Sequence, residues 1–339
     1  MARLLARFAE DIFWLARYME RVENLARILD VNETFSRDAR GSQNWLSIVQ
    51  LHADEKRFFA RHHAATAAAV IHFYVLDTDN PTSIAASLRY ARENARTLRP
   101  LISTEMWSHL NVFYGQIRAL EAADVTRATL SRLCATIKEN CQTHAGIVEG
   151  TFYRDEGWSF YTIGKMIERA DQTTRLLDIK YHLLLPSAAG VGSALDTSQW
   201  NAVLRSAAGY HAFRRVQPRG MDPASVAGFL LFNMGFPRSF AASVMAAEHA
   251  LTMMKSRYML KGGNHALELF DDIRSALGTY TIDRVLRAGL HEFLDHMQRQ
   301  LILVTDELGY DFFGHARPGG APRASMAGTA AQAEVQASA

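Results

Sequence analysis

Glu20, Glu23, Arg27 and Asp30 stand at helical spacing, and Glu168, Asp171, Arg175 and Asp178 repeat them 148 positions later. Arg21 and Arg169 follow the leading glutamates, and Arg17 and Lys165 precede them by three residues. The shared frame is basic-x-x-Glu-Arg-x-acid-x-x-x-Arg-x-Leu-Asp. Such a set, if it does chemistry, would use its carboxylates and arginines on a polar substrate. Glu20, Glu23, Glu168 and Asp171 would be its catalytic groups, and Arg17, Arg21, Arg27, Arg169 and Arg175 would bind substrate. A solvated face is the plainer reading, with i,i+4 pairs such as Glu23 with Arg27 each worth roughly 0.2–0.5 kcal/mol. Drift should scramble a merely solvated face, yet both copies keep acid, acid, Arg and Asp in register. The alternative is a partly buried polar seam shared by the two copies. Its six acids outnumber Arg27 and Arg175, so Arg17, Arg21, Lys165 and Arg169, or an amine-bearing substrate, would have to compensate.

Two further basic groups could hold an anion. Arg92, Arg96 and Arg99 fall on one helical face, where three guanidiniums repel unless an anion lies between them. Glu93 and solvent are the plainer compensation. Arg238 and Ser239 follow Phe236-Pro237 at an expected helix start, where free N–H groups favour an anion. No Walker loop, G-x-G-x-x-G or G-x-S-x-G occurs. His291-Glu292 and His296 are one residue too far apart for zincin spacing. No metal and no cofactor of its own is expected.

The elements that must position these groups read as helices throughout. Trp14, Leu15, Tyr18, Val22, Leu25 and Leu29 form an apolar stripe opposite the acids. The pattern predicts helices over about 3–36, Trp45 to about Arg61, 64–74, a start at Asn80-Pro81, two over 104–149, a second Glu-Arg helix from near Trp158, and three over 240–312. Gly41-Ser42 marks a break, Pro186 to Ala194 a linker followed by a cap at Asp196 or Thr197, and Asp222-Pro223 a capped start. The expected fold is one all-α helical bundle over 1–312, with related halves of roughly 1–150 and 151–312. Residues 313–339, small and Pro/Gly-punctuated, should form a disordered tail.

These segments together resemble the alpha-E domain family of bacterial all-helical proteins. Beside the two Glu-Arg helices, Asn80-Pro81-Thr82-Ser83-Ile84, Ala91-Arg92-Glu93-Asn94-Ala95-Arg96, Ile102-Ser103 with Glu105, Trp107 and Asn111, Arg154-Asp155-Glu156-Gly157-Trp158 and Phe236-Pro237-Arg238-Ser239 carry the resemblance in order. Pro100 and His211 depart from it, each standing where the family pattern has an acid. The resemblance implies association with circularly permuted ATP-grasp-like amide ligases and with transglutaminase-like peptidases. It points to amide or peptide bond formation on a small acidic metabolite or peptide, ATP and Mg lying on the separate ligase. Three roles stay open: an acceptor-binding or acyl-transferring subunit, a non-catalytic helical scaffold in the same complex, and an independent carboxylate-metal hydrolase.

Composition bounds these roles. The 339 residues are 48% hydrophobic with a net charge of only +2. No basic domain stands out, so nucleic acid is not an expected ligand. Cys134 and Cys141, seven apart on one helix, read as free core thiols in a reducing cytoplasm. Glu10 and Asp11 interrupt the N-terminal apolar run, so neither a signal peptide nor a membrane span is expected.

Overall fold

The computed structural model describes residues 4–38, 45–184, 194–218 and 220–318. Among the described residues every regular element is helical and no strand occurs. In chain order they are α1 (Ala6–Asp38), α2 (Leu46–Leu51), α3 (Glu55–Phe59), α4 (Ala67–Val75), α5 (Ile84–Thr97), α6 (Thr104–Arg118), α7 (Leu130–Thr151) and α8 (Glu156–Leu184). Then follow α9 (Ala194–Ser206), α10 (Tyr210–Val216), α11 (Pro223–Phe232), α12 (Phe240–Tyr258), α13 (Asn264–Thr279), α14 (Ile282–Ala288) and α15 (Leu290–Leu308), which runs into a π turn, Gly309–Phe313.

The two Glu-Arg helices, α1 and α8, pack along each other at the centre. α5 and α7 cover α1, and α12 and α15 cover α8. The apolar stripe from Trp14 to Leu29 is buried as its spacing requires. The opposite face of α1 is buried too: Glu20, Arg21, Glu23 and Asn24 lie inside. α1 is therefore a core helix on all sides, and the solvated-face reading fails for it. Gly164 sets the approach, because a Cβ there would sit 2.3 Å from the Phe13 carbonyl oxygen. Any side chain at 164 would push α8 off α1 one turn from the charged level.

Several expected boundaries move for local reasons. The single helix over Trp45–Arg61 is two, because Ala53 turns left-handed at φ 53°. Buried Asp54 beside it accepts hydrogen bonds from Thr82 Oγ1 at 2.7 Å and the Tyr74 hydroxyl at 3.1 Å. Ser83, not Asn80, caps α5, its Oγ accepting the Ala86 N–H at 3.0 Å. Ser239 likewise caps α12, so Pro237 lies before the helix rather than at its first position. Asp222 caps α11 with Pro223 at its start, as expected. Residues 240–312 hold four helices rather than three, since Gly289 at φ 115° separates α14 from α15. Gly41-Ser42, the linker from Pro186 to 193 and residues 319–339 lie outside the described residues. Asp196 and Thr197 fall within the first turn of α9, not before it. The folded chain also continues past 312. The Phe313 ring packs 5.3 Å from Phe13 and 5.7 Å from Phe160, and His315 Nε2 lies 2.9 Å from Glu10. Among the described residues no helix is long and apolar enough to cross a membrane.

Candidate functional site at the crossing of α1 and α8

The α1–α8 crossing carries two reciprocal ion pairs. Arg21 of α1 donates to Glu168 of α8 at 2.7 and 3.1 Å, and Arg169 of α8 donates to Glu20 of α1 at 2.9 and 2.8 Å. Fork-to-carboxylate geometry of this kind suits arginine and would not survive replacement by lysine.

On the Glu168 side the network closes. Glu168 is 0% exposed and also accepts from Arg17 Nε at 2.8 Å. The Arg17 guanidinium lies 4.6 Å over the Trp14 ring. Gln172 adds a longer contact at 3.4 Å. Burial alone would raise the Glu168 pKa, but the charges of Arg21 and Arg17 outweigh it and bring it down to about 2. His52 sits near this group. Burial, with the charges of Arg175 and Arg21, lowers its pKa to about 3, so the ring is neutral.

On the Glu20 side the network opens. The position equivalent to Arg17 is Lys165, which lies near Glu20 and Glu23 but makes no ion pair or hydrogen bond among the described residues. Its place at Glu20 is taken from another helix: Arg238, just before α12, donates to Glu20 at 2.8 Å, to Asn24 at 2.8 Å and to Glu23 at 2.8 Å. Burial would raise the Glu20 pKa as well, yet Arg169 and Arg238 hold it well below the usual carboxylate range. Between α1, α7 and α8 there remains a cavity of about 190 Å³. Glu20, Glu23, Cys141, His144, Lys165 and Arg238 are among its lining residues, and the exposed Gln142 reaches it from α7. Burial lowers the Lys165 pKa, with the nearby Arg169 charge adding to it. His144 is 1% exposed and neither ring nitrogen has a hydrogen-bond partner. Burial pushes its pKa to about 3.

The other sequence-predicted residues divide. Arg27 and Arg175 each pair along their own helix, Arg27 with Glu23 at 2.6 Å and Arg175 with Asp171 at 2.7 Å. Asp30 and Asp178 turn away to other helices, Asp30 to Lys138 at 2.6 Å and Asp178 to His291 at 2.7 Å. The crossing charges come instead from Arg17, Arg21 and Arg169. Arg238 joins the site, but by its side chain rather than at a helix N-terminus. Ser239 does not: its Oγ is used by the Ala242 N–H and by donation to the Asn233 carbonyl at 2.6 Å. Arg92 and Arg96 sit on the α5–α6 surface with Glu93 between them, at 2.7 and 2.9 Å. Arg92 also donates to Asn111 at 2.8 Å and lies 5.3 Å over the Tyr114 ring. Within the expected basic stripe Arg92 and Arg96 thus share Glu93, while Arg99 lies 5.2 Å over the Trp107 ring.

A carboxylate whose oxygens are occupied by two guanidiniums is a weak proton acceptor, so Glu20 and Glu168 brace the crossing. What the arrangement can do chemically lies in the cavity, where Lys165 holds unused hydrogen-bonding capacity. His144 gave no signal in the sequence beyond its position on the α7 core face, which it shares with Ile137, Cys141 and Val148. Both cysteines are free and buried. Among the described residues no group of three or more His, Cys, Asp or Glu is placed to hold a metal ion.

The family profile described as "a predicted alpha-helical domain with a conserved ER motif", Alpha-E, matches residues 4–313. Uncharacterized proteins of Mycobacterium bovis and of two Mycobacterium tuberculosis strains are 24% identical over 332 residues, covering 89% of this chain and 36% of each relative. The chain thus spans about a third of the length of the curated relatives it matches. No solved structure matches it. With the two Glu-Arg helices crossing at its centre and the profile covering nearly all of its folded length, the chain belongs to the Alpha-E family.

Proposed function

We propose that the chain is the helical, acceptor-binding component of an ATP-grasp-type amide or peptide ligase system, with the cavity beside Glu20 as its binding site. One observation carries this reading: Lys165 is a cation left over in a cavity whose carboxylates are already paired with arginines. A half-buried ammonium with no direct hydrogen-bonding partner can give its donors to an anionic ligand. The ligand would be a small acidic metabolite or peptide, and ATP and Mg would be bound by the separate, circularly permuted ligase. A transglutaminase-like peptidase belongs to the same setting. Two related halves, roughly 1–150 and 151–312, are part of this reading, and the reciprocal Arg21–Glu168 and Arg169–Glu20 pairs support them. The length of the mycobacterial relatives is in keeping with a domain that works beside others in one assembly.

The test is reconstitution with the ATP-grasp-like protein that copurifies from the native host, followed by mass analysis of ATP-dependent products. Product formation should require this chain and fall at least tenfold with Lys165→Met. Equal product without the chain would remove the reading. The scaffold alternative draws on a different observation, the internal pairing of all four glutamate and arginine residues at the crossing. It predicts that Lys165→Met leaves product formation unchanged while the chain itself is still required.

A further inference from the structure

Resting on the cavity reading above, we infer that the cavity takes a small molecule by a carboxylate seated on Lys165.

Charge sets the first part. Of the lining side chains, Glu20 and Glu23 stand against Arg169, Arg238 and Lys165. The two arginines are spent on the two glutamates, at 2.8–2.9 Å to Glu20 and 2.8 Å to Glu23. Lys165 is a lining cation with no hydrogen bond or ion pair among the described residues. With Arg27 also on Glu23 at 2.6 Å, positive charge exceeds negative around the cavity, which favours an anionic ligand over a neutral or cationic one. Carboxylate suits the lysine because ammonium and carboxylate form a charge-assisted hydrogen bond.

Size sets the rest. An apolar cavity of about 150 Å³ admits benzene, so about 190 Å³ admits a ligand little larger, the scale of an amino acid or an aromatic acid.

Benzoate and its neutral isostere benzamide make the probe pair, titrated by calorimetry into the intact chain and into Lys165→Met and Lys165→Gln. The parent should bind benzoate at least tenfold tighter than benzamide. Both Lys165 variants should keep their thermal midpoint and lose that preference. Absence of saturable benzoate binding to the parent, or an undiminished preference in both Lys165 variants, would overturn the inference. Because no ligase enters this titration, a Lys165-dependent benzoate preference stands even if reconstitution with the ligase yields no product.

Discussion

The Glu168 and Glu20 sides of the α1–α8 crossing use the same motif and end in opposite states. At Glu168 the third residue before the Glu-Arg pair of the facing helix is Arg17, which stacks on Trp14, reaches the carboxylate and closes the site. At Glu20 the equivalent residue is Lys165, which stops short, and Arg238 arrives from α12 to complete the carboxylate instead. The shorter, unforked ammonium leaves a cavity where the guanidinium leaves none of its charge unpaired. A motif repeated in sequence therefore supplies a brace in both places, and one exchange of arginine for lysine turns one of the braces into a pocket wall.

The largest expected effect is on the closed side. Glu168→Gln strands Arg17 and Arg21 without a counterion in the interior, and urea unfolding should show a loss of about 3–5 kcal/mol. Glu20→Gln should cost less, about 1–3 kcal/mol, because Arg238 keeps Glu23 and the cavity admits water. Equal losses would erase the distinction between the two sides. A sharper version exchanges the distinguishing residue. Lys165→Arg should reach Glu20, fill the cavity and abolish benzoate binding while leaving the thermal midpoint equal or higher. Retained binding would show that the cavity does not depend on lysine's reach.

Acid should act in two overlapping windows. His144 and His52, neutral in the fold with pKa values near 3, gain protons in the unfolded chain below its ordinary 6.5. Stability should fall as pH drops below about 6.5, by about 1 kcal/mol per pH unit for each histidine. Glu168, depressed from 4.5 to about 2, adds stability that is complete above 4.5 and is lost as pH falls toward 2. His144→Met should remove about half of the histidine slope between pH 6.5 and 3, His52 keeping the rest, and leave the Glu168 contribution in place. An unchanged slope between pH 6.5 and 4.5 would mean that His144 is protonated in the folded chain. The smallest effects belong to the surface: Arg92→Ala and Arg96→Ala should each cost under about 1 kcal/mol and leave benzoate affinity untouched.

The all-α class, the two Glu-Arg helices and the identity of most crossing charges were legible because helical periodicity and a repeat at constant offset are local signals. The partners within the seam were not. Arg27 and Arg175 sit one turn beyond Glu23 and Asp171 on their own helices, so the nearest acid was intrahelical, while Arg21 and Arg169, adjacent to glutamates in sequence, point across. Spacing gives a face, and only the crossing at Gly164 decides which faces meet. Burial of a charged face could not be read either, since α1 is enclosed by α5, α7 and α8 at long sequence separation. His144 sits on an apolar helix face, and only its two unpartnered buried nitrogens distinguish it. The tail boundary slipped because Phe313 and His315 pack through contacts more than a hundred residues away.

The central claim is that Lys165 holds an unpaired charge awaiting a carboxylate, and the most direct measurement is the titration of its side-chain nitrogen by NMR. The account predicts a pKa below the ordinary 10.5 in the free chain, rising when benzoate saturates the cavity. A pKa at or above 10.5 without ligand, or one that benzoate leaves unmoved, would contradict it.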